Sequence, residues 1–229
     1  MINTAGFVRV ADAEQERDAC FAWNAEGPEK LARACARAGI PLVTFSSDLV
    51  FDGTLGRPYL EGDPVSPAGA YGESKAEAER RVLAVHDKAL VVRTSAFFGP
   101  WDRYNFAWAA LSALAAGETF AACPRTRVSP TYVPDLCHGA LDLLIDGEAG
   151  LWHLANDGAV SWYEFARRLA AAAGFDPDMI KRSRGGRARA TILSSRNGMH
   201  LRALDEAIAD YVGEVAELIE PEAAQIAAE

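Results

Sequence analysis

The chain has 229 residues, 50% of them hydrophobic, enough to bury the core of one large domain or two unequal lobes. A formal net charge of −9 argues against nucleic acid as a partner, since phosphate backbones need a basic face. No apolar run approaches the roughly 20 residues that span a bilayer, and no signal-peptide pattern opens the chain, so no membrane partner and a cytoplasmic location are expected.

In chain order, Ile2-Asn3-Thr4-Ala5-Gly6 reads as a strand end running into a turn. Almost no strand stands ahead of it, so the expectation is that sheet is missing upstream. Asp12, Glu14, Glu16 and Asp18 read as a solvated helix face. Apolar positions with a period near 3.6 predict helices over 29–38, 73–86, 105–116, 134–144 and 162–173. Short apolar runs at 41–45, 89–92 and 151–154 have the length and content of buried parallel strands. Residues 47–69 lack periodicity and hold Asp52-Gly53 and Asp63-Pro64; a long loop after a strand end is where α/β sheets put ligands. The basic run 181–189 reads as a solvated loop, and 204–228 as a helical tail broken at Pro221. Cys20, Cys35 and Cys137 fall in helical patterns and read as buried reduced thiols; Cys123 shares no metal-ligand spacing with them. Trp101, Trp108, Trp152 and Trp162 read as packing residues, and His153 as a satisfied structural histidine. Alternating strands and helices give an α/β class, a doubly wound parallel sheet.

Chemistry concentrates at Tyr71-Gly72-Glu73-Ser74-Lys75. Tyrosine and lysine four apart share a helix face, and an ammonium beside a phenol favours the phenolate. With six tyrosines and four lysines in the chain, about 0.1 such pairs arise by chance, so spacing alone is insufficient. The setting adds weight: the strand ending at Phe45 runs straight into Ser46-Ser47-Asp48, where a hydroxyl can polarise a carbonyl held against the tyrosine. A plain turn using those side chains as local backbone acceptors remains the alternative.

The order and spacing of several motifs resemble the dTDP-4-dehydrorhamnose reductase family of extended short-chain dehydrogenases/reductases. They are residues 45–53, Pro58-Tyr59-Leu60-Glu61, Tyr71-Gly72-Glu73-Ser74-Lys75, Arg93-Thr94-Ser95, Asn105-Phe106, Ser129-Pro130-Thr131-Tyr132, Asp135-Leu136 and residues 161–166. Ile2-Asn3-Thr4-Ala5-Gly6 and Asn24-Ala25-Glu26-Gly27-Pro28 continue the resemblance, which runs to about Leu193. It implies an incomplete Rossmann-like sheet lacking its first strands. Residues 1–100 would carry the catalytic loop and helix, 101–205 a smaller substrate-binding lobe, and 206–229 a helical tail. It also implies NAD(P)-dependent reduction of a nucleotide-linked 4-keto sugar. Tyr71 would be the general acid, Lys75 would lower its pKa and bind the nicotinamide ribose, and Ser47 would hydrogen-bond the keto oxygen. Asn3, Thr4 and Ala5, with Tyr71 and Lys75, would line the NADP or NAD site. Ser47, Asp48 and Asn105 would meet the nucleotide-sugar substrate, and the strand end at Arg93–Ser95 would lie near the nicotinamide.

Leu49, Ala96 and Arg125 stand where the family usually has tyrosine, tryptophan and an acidic residue, changes that touch the sugar site more than the acid–base chemistry. The sequence holds no G-x-x-G-x-x-G turn after a strand, so the chain is expected to associate with a missing N-terminal segment, a fused domain or another copy of itself. Two alternatives stay open: a non-catalytic sugar-nucleotide-binding or regulatory module, and an epimerase or dehydratase of the same superfamily.

Overall fold

Apolar and β-branched residues dominate two of the four strands that pair in parallel: Ile2–Asn3 (β1), Leu42–Phe45 (β2), Ala89–Arg93 (β3) and Gly150–His153 (β4). They lie in the order β1-β2-β3-β4, with Val43 opposite Ile2, Val92 opposite Phe45, and His153 opposite Arg93. All five residues of β3 are buried, as expected of an inner strand covered on both faces. The structure is a computed structural model and describes residues 1–198 and 200–226.

Two units emerge from the contacts, and their segments interleave. The first is drawn from Met1–Ser95, Cys137–Leu154 and the stretch beginning at Thr191; the second from Ala96–Leu136, Ala155–Ala190 and the stretch beginning at His200. The contiguous segments 1–100, 101–205 and 206–229 therefore differ from the grouping by contact, because strand β4 follows a long excursion and returns to the sheet beside β3.

In the first unit, the short helix Arg17–Phe21 (α1) passes through a π-helical turn at Ala22–Glu26 into Gly27–Ala38 (α2). Pro28 stands in the first turn of α2, and Gly39 ends it in the left-handed conformation at φ 66°. Helix α3 spans Ala70–Val85. Ala32 and Cys35 of α2, Val82 of α3, Leu42 of β2 and Ala89 and Val91 of β3 form one buried cluster.

In the second unit, helices Phe106–Ala115, Trp162–Ala172 and Leu204–Ile226 enclose a core that includes Phe98, Trp108, Leu111, Phe165, Leu169, Ile208 and Tyr211. Phe98 meets Phe165 edge-on at 5.2 Å and Tyr211 at 5.5 Å between ring centroids. Ser161 and Glu164 close a capping box on the second of these helices.

Several expectations change. The helix Leu204–Ile226 runs through Pro221 rather than breaking there. Residues 227 and 228 of the predicted tail lie outside the described residues. The basic run is not all loop, since Ile180–Arg182 pairs with Phe120–Ala122 and Arg189–Ala190 with Thr126–Arg127. Cys137 is exposed, on the outward side of its helix, while Cys20 and Cys35 are buried. Trp101 is 76% exposed because it sits in an irregular turn with no periodic face to direct it inward. The acidic run is solvated but does not form one helix face: Asp12 ends a short 3-10 turn and Glu16 precedes α1, Arg9 pairs with both, and Glu14, though exposed, reaches the Ala70 amide.

Candidate functional site

The site in the first unit is built where α3 crosses the end of β2. Glu14 accepts the Ala70 amide at 2.7 Å and so caps the first turn of α3 from a distant loop. Tyr71 and Lys75 follow one turn apart, with the Lys75 Nζ 5.8 Å from the Tyr71 ring centroid. Between them, Gly72 lets the helix press onto the turn Asp48–Val50. A Cβ there would lie inside van der Waals contact of the Leu49 carbonyl oxygen and 3.0 Å from Pro67 Cβ.

The end of β2 meets the helix residue by residue. Lys75 Nζ donates to the Phe45 carbonyl at 3.2 Å. The backbone amides of Ser46 and Asp48 donate to the carbonyls of Val92 and Thr94 at 2.7 and 2.9 Å, fixing the turn against β3. Ser47 Oγ accepts the Leu49 amide at 3.1 Å and donates to Asp48 Oδ1 at 3.3 Å. Asp48 is 5% exposed, and its other oxygen accepts the Thr191 hydroxyl. Its carboxylate thus engages both Ser47 and Thr191.

Electrostatics reverse one prediction. Tyr71 is pushed up to about 12, by burial first and then by the negative charge of Asp48, rather than lowered by Lys75. Lys75 is itself drawn down to about 8 by burial, against the opposing pull of Cys20 and Glu79. Its ammonium is directed to the Phe45 carbonyl, so desolvation of the phenol prevails.

Behind the pair, Asn24 knits three segments together. Its Oδ1 accepts the Phe7 amide at 2.8 Å, and its Nδ2 donates to the Phe7 carbonyl at 3.2 Å and to Ser74 Oγ at 3.1 Å. Ser74 Oγ in turn donates to the Tyr71 carbonyl at 2.7 Å. Neither Glu14 nor Asn24 stands out by spacing; a buried amide inside the apolar run from Cys20 to Ala25 is the signal that could have found the second.

Thr4, Ala5, Gly6, Phe7, Ala19 and Trp23 line part of a cleft of about 460 Å³ in the same unit. Asn3 takes no part in that lining; it donates to Thr44 Oγ1 at 3.1 Å and accepts the Ala5 amide at 3.2 Å. At the end of β3, the hydroxyls of Thr94 and Ser95 are buried without a hydrogen-bond partner among the described residues, a costly state that a bound polar group would relieve.

Asn105 belongs to the second unit, where it holds a turn together. Its Oδ1 caps the helix Phe106–Ala115 through the Trp108 amide at 2.8 Å. Its Nδ2 donates to the carbonyls of Gly99 and Asp102, so the amide is engaged in folding the turn. Among the described residues, no group of three or more histidine, cysteine, aspartate or glutamate side chains could hold a metal ion, and no helix is long and apolar enough to cross a membrane.

Known proteins resemble this chain over most of its length. The family model described as RmlD substrate binding domain matches residues 1–194. A dTDP-4-dehydrorhamnose reductase of Mycobacterium tuberculosis is 39% identical over 187 residues, covering 79% of this chain and 61% of that protein. A dTDP-4-keto-6-deoxy-D-glucose reductase of Streptomyces niveus is 33% identical over 182 residues, covering 79% and 63%. The chain therefore spans a little over three fifths of the length of these relatives. The crystal structure of a dTDP-4-dehydrorhamnose reductase from Bacillus anthracis in complex with NADP superposes with a TM-score of 0.86 at 28% identity, covering 93% of this chain and 79% of that one.

Proposed function

Because the chain belongs to the RmlD substrate binding domain family, we propose that it carries the proton-transfer part of an NAD(P)-dependent reduction of a dTDP-linked 4-keto sugar. The observation that carries this reading is the convergence of Tyr71, Lys75 and Ser47 on one turn, with Lys75 bonded to the strand end that leads into Ser47.

Reduction of a ketone needs a hydride on carbon and a proton on oxygen; a nicotinamide cofactor, when bound, supplies the hydride. Tyr71, held near 12, stays protonated throughout the physiological range, so it is a stored acid. The sugar alkoxide formed on reduction is more basic still and takes that proton. Lys75, near 8, is charged at neutral pH, and its ammonium offsets the phenolate left behind. Ser47 would orient the carbonyl by turning its single hydroxyl proton from Asp48 Oδ1 to the keto oxygen, while the Leu49 amide holds the hydroxyl oxygen in place.

The residues present fit the nicotinamide end of the cofactor. The orphaned hydroxyls of Thr94 and Ser95 and the Lys75 ammonium would hold it, and Thr4 and Ala5 border the adjoining cleft. A glycine-rich turn to grip the diphosphate is not in this sequence.

The test is titration of NADPH and NADH onto the 229-residue chain, followed by nicotinamide fluorescence, and then turnover with a dTDP-linked 4-keto-6-deoxy sugar. Saturable binding is expected, and Tyr71→Phe should cost about 10²–10⁴ in rate. No binding at millimolar cofactor would sink the reading for this chain. A full rate in Tyr71→Phe would remove Tyr71 as the donor.

A further inference from the structure

Glu79 has no part in the proton-transfer set, yet it is 5% exposed and heavily bonded. Its Oε1 accepts Arg93 Nε at 2.8 Å and the Ser46 hydroxyl, and its Oε2 accepts Arg93 Nη2 at 2.7 Å. Arg93, 2% exposed, continues to the Glu61 carbonyl and His153 Nε2, each at 3.3 Å, with its guanidinium 4.8 Å from the Phe51 ring centroid. Arginine only donates, so Nε2 of His153 accepts and its Nδ1 carries the proton given to the Ser194 carbonyl at 2.8 Å. A buried ion pair is weak evidence of stabilisation, because desolvation offsets the Coulomb gain. Its position gives another reason for it.

Tyr71, Lys75 and Glu79 follow at i, i+4 and i+8 of α3 and so share one face. Successive residues of the β2 end meet that face in order: the Phe45 carbonyl takes Lys75, the Ser46 hydroxyl meets Glu79, and Ser47 comes next. We propose that Glu79 is a positioning residue for the Tyr71–Lys75–Ser47 set, locked by Arg93 and Ser46 so that its carboxylate holds the Lys75 ammonium and the Ser47 strand end in one register.

The proposal rests on reading that set as a proton-transfer site. Four groups bear on the lysine and its tyrosine: Glu79 from α3, Cys20 from α1, Asp48 from the turn after β2, and Arg93 from β3, which faces Glu79. Of these, Glu79 and Cys20 hold the lysine in its charged form against burial.

The experiment is a pH titration of the whole chain, without cofactor or sugar, after reductive ¹³C-methylation of its lysines, with Lys75→Gln assigning the Lys75 signal by NMR. Glu79→Gln is expected to lower the Lys75 midpoint from about 8 by roughly one unit, the low end of what a close opposite charge does. Glu79→Asp, which keeps the charge, should retain most of it. Glu79→Gln strands the Arg93 guanidinium, so Glu79→Gln with Arg93→Met, which removes both charges, is measured beside it. Loss of the Arg93 cation alone would raise the midpoint, so a fall in the double variant reports Glu79. An unchanged Lys75 midpoint in Glu79→Gln, or in the double variant relative to Arg93→Met alone, overturns the proposal, since a merely structural pair would leave it unmoved. Failure to bind NADPH would defeat the proposed function and leave this result standing.

Discussion

At the scale of the residue, Asn24 shows how a side chain remote from chemistry fixes it. Phe7 is 8% exposed, and both its amide and its carbonyl depend on the Asn24 amide, which also reaches the Ser74 hydroxyl under Tyr71. Asn24→Ala leaves those buried groups without partners, at about 1–3 kcal/mol each. A loss on the order of 3 kcal/mol in urea unfolding is expected; a loss within a few tenths would mean that water or a shifted loop takes over the bonds. The sequence carries no spacing that marks this role of Asn24, because the partners it ties together, Phe7 and Ser74, lie 17 and 50 residues away. Tyr71 and Lys75 are legible for the opposite reason: their relation is one helical turn. The capping role of Asn105 was not legible, because an asparagine that caps a helix and one that meets a ligand offer the same donors and acceptors.

Among the elements, helix α3 and its neighbour turn form a joint that depends on one missing side chain. Exposed glycine in a helix interior normally gains about 1 kcal/mol on replacement by alanine. At Gly72 the sign reverses. The added methyl would meet backbone, the Leu49 carbonyl carbon at 3.0 Å and its oxygen closer still, and backbone yields only by moving the whole turn. Gly72→Ala should therefore destabilise the chain by about 1–3 kcal/mol and displace Ser47 and Asp48 from the helix. Urea unfolding gives the first quantity, and the amide shifts of residues 47–50 the second. A variant more stable than its parent would show that α3 does not pack as described. Long elements were legible where period and burial agree, as in α2, where 29–38 is predicted and Gly27–Ala38 observed. The π-helical turn Ala22–Glu26 and two-residue strands such as Val160–Ser161 were not, because neither is long enough to repeat. Their positions follow from tertiary pairing rather than from local pattern.

For the molecule as a whole, the two shifted groups of the site set an unusual dependence of stability on pH. Lys75 has an ordinary value of 10.5 and about 8 when folded, so the unfolded chain binds the extra proton between those limits. The cost of burying the ammonium is fully present below about 8 and is relieved as pH rises towards 10.5. Tyr71 works the other way: its value rises from 10.0 to about 12 on folding, so the native state binds more protons in that window and stability falls across it. Together they move the contribution of this pair to a maximum near pH 10, well above the range of about 5–8 where most proteins are most stable. Lys75→Met removes the buried charge while keeping the apolar stem. Between pH 7 and pH 10 the parent should gain on the order of 2 kcal/mol relative to that variant, a figure reduced from the full shift because Lys75 is only half-buried. Denaturant unfolding of both proteins across that range measures the difference directly, and groups that titrate alike in the two cancel. Tyr71→Phe should in turn remove part of the decline above pH 10. Parallel stability curves for the parent and Lys75→Met would mean that the ammonium reaches solvent in the folded chain, and the charge relation between Lys75 and Tyr71 would have to be drawn again.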